Sequence, residues 1–354
     1  MSGLSGSNPF SLVFGKAPGQ SIGRRDDESA IIETFTQEEP SQQAFMITGI
    51  RGSGKTVFMS AVSDYFAGQK DWICVELSTE QDMLQSLAAK LSSVNSLAKI
   101  FKSASINLSA FGIGFSVSGA VPISDIETAL SRMLESLKKK GKKILICVDE
   151  VVSNDHVKAF CSSFQILVRQ KLPVYLLMTG LYENIESLQN TPNLTFLYRA
   201  TRIVMNPLSR FSIADSYQQV FHGTREDAVA MAAWTKGYSF AFQVLGYFTW
   251  EKQGDFQGAL EDSYRYLCEY SYIKIFSGLS VNDRELALAI AESEQNQNKE
   301  IRAKLGWEAN KYNPYRMRLI RKGLIDGETY GKVFFTLPEF GRFLQEYSAM
   351  LNAE

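Results

Sequence analysis

The sequence has few of the residues from which metal and nucleophilic sites are usually built. Its 354 residues include two histidines, His156 and His222, and four widely spaced cysteines that form no Cys-x-x-Cys pair. A histidine-based triad or metal site is therefore not expected, and neither a disulfide framework nor a zinc site is implied. Cys74 and Cys147 lie in apolar, strand-like runs, which is typical of buried thiols in a reducing compartment.

Long hydrophobic runs and a charge imbalance are also missing. No apolar run approaches the ~18–20 residues of a membrane-spanning helix, and the N-terminus lacks the charged-then-apolar pattern of a signal peptide. The formal net charge is -1, so any nucleic-acid surface must be local. We expect a cytoplasmic protein of two or three domains with no membrane partner.

The strongest motif runs from Gly49 to Thr56 and reads Gly-Ile-Arg-Gly-Ser-Gly-Lys-Thr. It fits the phosphate-binding loop pattern, with an apolar run before it and a helical pattern after it. Backbone N–H groups at such a turn, together with the helix dipole, bind anions. We expect Lys55 to contact the β- and γ-phosphates of ATP and Thr56 to hold Mg²⁺. The predicted nucleotide contacts here are Gly49, Arg51, Gly52, Ser53, Gly54, Lys55, Thr56 and Val57.

A second motif is the pair Asp149-Glu150, which follows the fully apolar run 144–148. Such a run predicts a strand buried on both faces of a parallel sheet, with the acids emerging at its carboxyl end. We expect Asp149 to support the Mg²⁺ and Glu150 to act as general base toward the attacking water.

The remaining apolar runs predict a parallel sheet of five strands. Thr179 is a polar residue at the end of the run 174–180, where its hydroxyl would orient water or the γ-phosphate; the alternative is a threonine that merely ends a strand. A fifth strand is expected to begin near Ala200. The order of these runs predicts an extra strand between the two phosphate motifs. Alternation in residues 105–119 predicts a β-hairpin insertion.

The segments before the first motif are less informative. Residues 1–20, rich in Ser, Gly and Pro, predict a flexible arm; the alternative is that Phe10, Leu12, Val13 and Phe14 pack against another part of the protein. Gly23-Arg24 precedes a helical pattern and has two interpretations: an adenine-side contact, or a helix N-terminus with a surface arginine.

The C-terminal half predicts two further domains. Residues 207–277 are mostly helical, and residues 278–354 predict three helices and a β-hairpin, the composition of a winged helix. Asn313-Pro314 is expected to start the third helix. Residues 299–322 carry eight basic residues against the acids Glu300 and Glu308. We expect this region to contact duplex DNA phosphates; the alternative is a protein-docking winged helix. The candidate DNA contacts are Arg316, Arg318, Arg321 and Lys322.

Together these motifs resemble the AAA+ superfamily of P-loop ATPases, in its initiator-like or archaeal-type and STAND-like branches. The resemblance rests on Gly23-Arg24, the phosphate loop, Asp149-Glu150, Thr179 and residues 236–240. It implies an α/β core over residues 21–206, a helical lid over 207–277 and a winged helix over 278–354.

The resemblance also implies roles for particular residues. Thr179 takes the first-sensor position, and Arg199 stands where an arginine finger precedes the fifth strand, with Arg202 as neighbouring candidate. Tyr238 lies in the lid motif that faces the nucleotide. The lid lacks the arginine of initiators, and Ser239 replaces the STAND-like proline. Hydrolysis is therefore expected to be slow or to need a neighbouring subunit of a homo-oligomer.

Two functions fit these features. The first is an ATPase switch that couples nucleotide state to DNA association. The alternative is a nucleotide-locked signalling or scaffold protein whose winged helix docks on protein.

Overall fold

The computed structural model describes residues 4, 6–13 and 18–351. These residues divide into two compact units. The sheet unit comprises Arg24–Thr48 and Lys55–Val204, and the helical unit comprises Met1–Gly23, Gly49–Gly54 and Met205–Glu354. No helix within the described ranges is long and apolar enough to cross a membrane.

The sheet unit is a five-stranded parallel sheet with helices. Its strands are β1 (Ala44–Thr48), β2 (Trp72–Glu76), β3 (Lys143–Val148), β4 (Val174–Gly180) and β5 (Thr201–Val204). Its helices are α1 (Arg25–Thr36), α2 (Lys55–Ala67), α3 (Met83–Ser93), α4 (Asn95–Ser103), α5 (Ile126–Lys138), α6 (Asp155–Arg169) and α7 (Tyr182–Gln189), with 3₁₀ turns at Ser109–Phe111 and Thr195–Arg199.

The strand order confirms the sheet predicted from the sequence. It is β2-β3-β4-β1-β5, with every neighbouring pair parallel. Every residue of β1 and β4 is buried, as expected for strands covered on both faces. β4 lies between β1, which precedes the glycine motif, and β3, which precedes Asp149. The polar ends of β3 and β4 are consequently neighbours.

The predicted β-hairpin at residues 105–119 is wrong. All of these residues are described, and they contain one 3₁₀ turn and no strand. Ile106, Leu108 and Phe115 are at most 8% exposed and join the same core as the buried residues of α4 and α5. The alternating apolar residues are thus buried one by one against helices, and their backbone forms no ladder.

The helical unit contains the rest of the chain's helices and one small hairpin. Its helices are α8 (Arg210–Phe221), α9 (Arg225–Thr235), α10 (Ser239–Glu251), α11 (Phe256–Leu267), α12 (Ile273–Ser277), α13 (Val281–Ala291), α14 (Asn298–Leu305), α15 (Ala309–Arg321) and α16 (Phe340–Leu351), with a π-helical turn at Cys268–Tyr272. Strands β6 (Ile325–Asp326) and β7 (Phe334–Phe335) pair antiparallel. The division of residues 207–354 into two domains stays a prediction.

Helix α15 begins earlier than the sequence predicted. It starts at Ala309, with Glu308 at the N-cap position, so Pro314 lies inside the helix and does not open it. The backbone N–H groups of Lys311 and Tyr312 both donate to Glu308 O. Tyr312 is 1% exposed, and its burial holds the turns before the proline in helical form.

The described part of the predicted flexible arm is anchored in the helical unit. Phe10 is 2% exposed and packs against Tyr217, Phe221 and Phe242, with ring centroids 5.5–5.8 Å away. A Cβ at Gly246 would lie 2.5 Å from the Phe10 ring, so the glycine makes room for it. Residues 1–3, 5 and 14–17, which include Phe14, lie outside the described residues.

Replacing Phe10 by alanine is expected to destabilise the helical unit by about 3–5 kcal/mol, because a buried aromatic side chain leaves a cavity. Hydrogen exchange of the α8 and α10 amides would measure the loss. Val13→Ala is the matched control, since Val13 is 67% exposed and such changes stay within about 0.5 kcal/mol. Equal protection in the two variants would show that the anchor does not stabilise these helices.

Candidate nucleotide-binding site

The glycine turn at Gly49–Gly54 belongs to the helical unit. Gly52 has a φ of 77°, a left-handed conformation that favours glycine. A Cβ at Gly49 would lie 2.6 Å from Ser53 Oγ, and one at Gly52 would lie 2.2 Å from Tyr238 Oη. The turn is therefore too tightly packed to admit side chains at these two positions.

The segment 238–240 binds three consecutive carbonyl groups of this turn. Tyr238 Oη donates to Arg51 O at 2.8 Å, Phe240 N to Gly52 O at 3.1 Å, and Ser239 Oγ to Ser53 O at 3.0 Å. Because C=O and N–H point in opposite directions across a trans peptide, these bonds also fix the direction of the following N–H groups. The N–H groups of Gly52 and Gly54 thus point away from the segment, as an anion site requires.

Tyr238 supports the turn from within the core of the helical unit. It is 5% exposed, and its hydroxyl also pairs with Ser271 Oγ at 2.8 Å. Burial raises the pKa of Tyr238 above its usual value, so the hydroxyl stays protonated and remains a donor. Ser271 belongs to the π-helical turn, and no sequence pattern indicates that it supports Tyr238. The predicted nucleotide contact of Tyr238 stays a prediction.

Tyr238→Phe is expected to weaken ATP affinity by about tenfold, because losing a buried hydroxyl that has two partners costs about 1–3 kcal/mol. Calorimetric titration of ATP would measure it. Ser271→Ala and the Tyr238→Phe, Ser271→Ala double variant complete a double-mutant cycle. The losses in ATP binding free energy of the two single variants should not add in the double variant. Tyr330→Phe is the control, since Tyr330 is fully exposed. Unchanged affinity in Tyr238→Phe would show that the hydroxyl does not position the turn.

The sheet unit brings Thr56, Asp149, Glu150 and Thr179 together. Thr56 Oγ1 donates to Asp149 Oδ2 at 2.7 Å, and Thr179 Oγ1 donates to Asp149 Oδ1. The backbone N–H of Glu150 donates to Asp149 Oδ1 at 3.0 Å and to Thr179 Oγ1 at 3.2 Å. Both oxygens of the Asp149 carboxylate are thus fixed by neighbouring groups.

This cluster offers oxygen atoms of the kind that Mg²⁺ binds, with the Glu150 side chain next in sequence. Hydroxyl and carboxylate oxygens suit Mg²⁺, which usually takes one or two carboxylates plus substrate phosphates. Glu150 is exposed and has a φ of 48°, a conformation that is uncommon for a residue with a side chain and is found at functional sites. Thr179 lies beside Asp149 because β3 and β4 are neighbouring strands, and its predicted role toward water or the γ-phosphate stays a prediction.

Two hydroxyl groups near the motif lack partners among the described residues. Thr48 Oγ1 at the end of β1 and Ser53 Oγ in the turn are buried without a hydrogen bond. A buried polar atom without a partner is costly, and a bound phosphate would satisfy such groups. Thr48 was missed by sequence reasoning, although its place directly before Gly49 is a usable signal.

The predicted arginines have different surroundings. Arg24 is partly buried at the N-cap of α1, its N donates to Glu28 Oε1 at 3.1 Å, and burial lowers the pKa of its guanidinium. Arg202 bonds Gln189 and lies 5.1 Å from the Tyr182 ring. Arg199 is exposed at the end of a 3₁₀ turn.

Three other predicted nucleotide contacts lie on either side of the glycine turn in sequence. Gly23 is exposed, Lys55 is the first residue of α2, and Val57 is 38% exposed.

Two of the four predicted DNA contacts bond within the protein. Arg318 lies 2.7 Å from the carboxylate of Asp283, which is 1% exposed, and its guanidinium is 4.5 Å from the Tyr315 ring. Arg316 donates to Gly327 O at 3.0 Å. Arg321 is exposed and Lys322 is partly buried. The arginines of α15 therefore serve packing more than the sequence suggested.

Comparisons with known proteins follow this geometry. Residues 271–344 match a family model described as a domain of unknown function, DUF8462. No curated protein matches the sequence. The solved structures similar to the chain include the Walker-type ATPase PABY2304 of Pyrococcus abyssi, with a TM-score of 0.63 and 16% identity over 92% of this chain and 96% of that one. The chain has the fold of AAA+ P-loop ATPases.

A second similar structure is that of the Aeropyrum pernix ORC2 protein in ADPNP–ADP complexes. Its TM-score is 0.59 at 12% identity, over 97% of this chain and 98% of that one. At such identities the likeness establishes the fold alone. It confirms the predicted fold class, a parallel P-loop sheet followed by helical C-terminal regions.

Proposed function

We propose that this AAA+ chain is a magnesium-dependent ATPase switch that couples nucleotide state to DNA association. The observation that supports it most is the Thr56–Asp149–Thr179 cluster with Glu150 beside it. The ORC2 neighbour is an ADPNP–ADP complex, which supports an adenine nucleotide as ligand. ADP and phosphate are the proposed products.

In this proposal each group at the site has one task. The N–H groups of the glycine turn and Lys55 bind the β- and γ-phosphates. Thr56 and Asp149 hold Mg²⁺, which would neutralise charge on the phosphate oxygens. Thr179 keeps the Asp149 carboxylate oriented. Glu150 accepts a proton from the attacking water.

Two further groups complete the proposed nucleotide site. Gly23-Arg24 contacts the adenine side. Arg199 is exposed and reaches the γ-phosphate of a neighbouring subunit in a homo-oligomer.

Contacts within the helical unit offer a route by which nucleotide state reaches the C-terminal region. Tyr238 joins the turn to Ser271 in the π-helical turn. In the same turn, Tyr272 Oη donates to Pro338 O, just before α16. A change in the backbone of the glycine turn would thus shift residues 338–340 through these buried hydrogen bonds.

The DNA part of the proposal rests on the C-terminal region. We interpret α13, α14 and α15 with the β6–β7 hairpin as a winged helix, a fold that places basic side chains on duplex DNA. Its basic excess is confined to residues 299–322. The alternative, a nucleotide-locked scaffold that docks on protein, is favoured by the internal bonding of Arg316 and Arg318.

ATP turnover measured with and without duplex DNA tests the proposal. Turnover that DNA stimulates would support the switch. Tight ATP binding without turnover, whether or not DNA is present, would favour the alternative function as a nucleotide-locked scaffold.

A further inference from the structure

A polar cavity of about 460 Å³ lies between the start of α14 and the β6–β7 hairpin. The residues that line it include Gln297, Asn298, Lys299, Arg302, Tyr330 and Lys332. The backbone builds its floor: Asn298 N donates to Gly331 O at 2.8 Å, and Gln297 and Lys332 form a β-bridge. Tyr312 Oη further fixes the Asn298 side chain at 2.8 Å. The cavity is therefore a fixed feature of this region.

Its charge is of one sign. Lys299, Arg302 and Lys332 supply three cations, and no acid is among the described residues that line the cavity. The nearest acid along the chain, Glu300, is bonded to Ser293 Oγ at 2.7 Å. Arg302 Nε donates to Trp307 O at 3.4 Å, and its ion pair with the largely exposed Glu308 is long, at 3.7 Å. Three cations around one concavity attract a polyanion.

Two of the arginines of α15 already have partners within the protein. The carboxylate of Asp283 neutralises Arg318, and Arg316 bonds a carbonyl of the hairpin. Tyr330, by contrast, is fully exposed beside the cavity, where its ring can contact a sugar or base. Cations next to an exposed aromatic side chain fit nucleic acid better than a free anion.

We propose that this cavity, and not the exposed face of α15, binds the phosphate backbone of duplex DNA. The inference rests on the DNA association proposed above and names the surface that performs it. Lys299, Arg302 and Lys332 contact phosphates, and the hairpin carries Tyr330 against the adjacent sugar.

Two charge-matched double variants of the full chain test it. Lys299→Gln with Lys332→Gln removes two cations from the cavity, and Arg321→Gln with Lys322→Gln removes two at the C-terminal end of α15. Fluorescence anisotropy with a labelled duplex, at several salt concentrations, measures affinity and salt slope. The Lys299→Gln, Lys332→Gln variant (the cavity pair) should weaken DNA binding about 10–100-fold. It should also make the negative slope of log K against log salt concentration less steep by about 2. The α15 pair should change affinity less than about threefold.

The outcomes separate this inference from the proposal on which it rests. If the native protein binds no DNA, the DNA part of the proposed function fails, and the cavity assignment fails with it. If the native protein binds and the cavity pair binds equally well, the cavity assignment alone is wrong. Inorganic phosphate at constant ionic strength should not compete; displacement of DNA at low millimolar phosphate would identify a free-anion site and overturn the proposal. Thermal unfolding checks that both pairs are folded.

Discussion

Replacing Glu150 by glutamine is expected to lower the kcat of ATP hydrolysis by about 10²–10⁴-fold, the usual contribution of a general base. Glutamine keeps the size of the side chain and the backbone N–H that donates to Asp149 and Thr179, but cannot accept the proton. ATP affinity should therefore stay within about threefold of the native value, since a base that acts in the transition state adds no ground-state binding. Steady-state turnover and calorimetric ATP titration measure the two quantities.

Glu80→Gln is the matched control for this change. Glu80 is an exposed glutamate of the same unit and should leave both quantities unchanged. A Glu150→Gln protein that retains native turnover would remove Glu150 from the mechanism.

Arg199→Ala is expected to reduce turnover of the assembled protein by about 10³-fold or more, the range of an arginine finger supplied to a neighbouring site. Its exposure suits that role, whereas Arg202 already bonds Gln189 and covers Tyr182. Turnover should be measured at protein concentrations that span assembly. Arg169→Ala removes another exposed arginine of the same unit and should have no effect.

Mixing two inactive proteins separates action between subunits from action within one. A Glu150→Gln subunit keeps Arg199, so it should restore turnover at the site of an Arg199→Ala neighbour. Activity in the mixture, with neither protein active alone, is the expected result. A mixture that stays inactive, while Arg199→Ala alone is inactive, would place the arginine in its own subunit's site.

The sheet and the phosphate motifs could be predicted because their physics is local in sequence. A strand buried on both faces must be apolar throughout, so the runs at residues 144–148 and 174–180 indicated β3 and β4. Polar residues at the ends of those strands must meet at one edge of a parallel sheet. β3 and β4 are neighbours in the sheet, so Asp149 and Thr179 lie together at that edge.

The features that could not be predicted depend on distant partners. Residues 105–119 alternate like a strand, yet their apolar side chains are covered singly by helices. The partners of Phe10 could not be identified from the sequence, because Tyr217, Phe242 and the space left by Gly246 lie far along the chain. Charge in α15 was visible in the sequence, but Asp283, which neutralises Arg318, lies on another helix.

The coupling between nucleotide state and DNA association is tested most directly with the Glu150→Gln protein. Its DNA affinity is measured once in saturating ATP and once in saturating ADP, and the two affinities are compared. This variant should hold ATP without hydrolysing it, so each state can be measured at equilibrium. The account predicts affinities that differ by about 5–150-fold, the usual range of an allosteric coupling. Equal affinities in the two states would contradict it and leave a nucleotide-binding protein whose DNA association, if any, is independent of nucleotide.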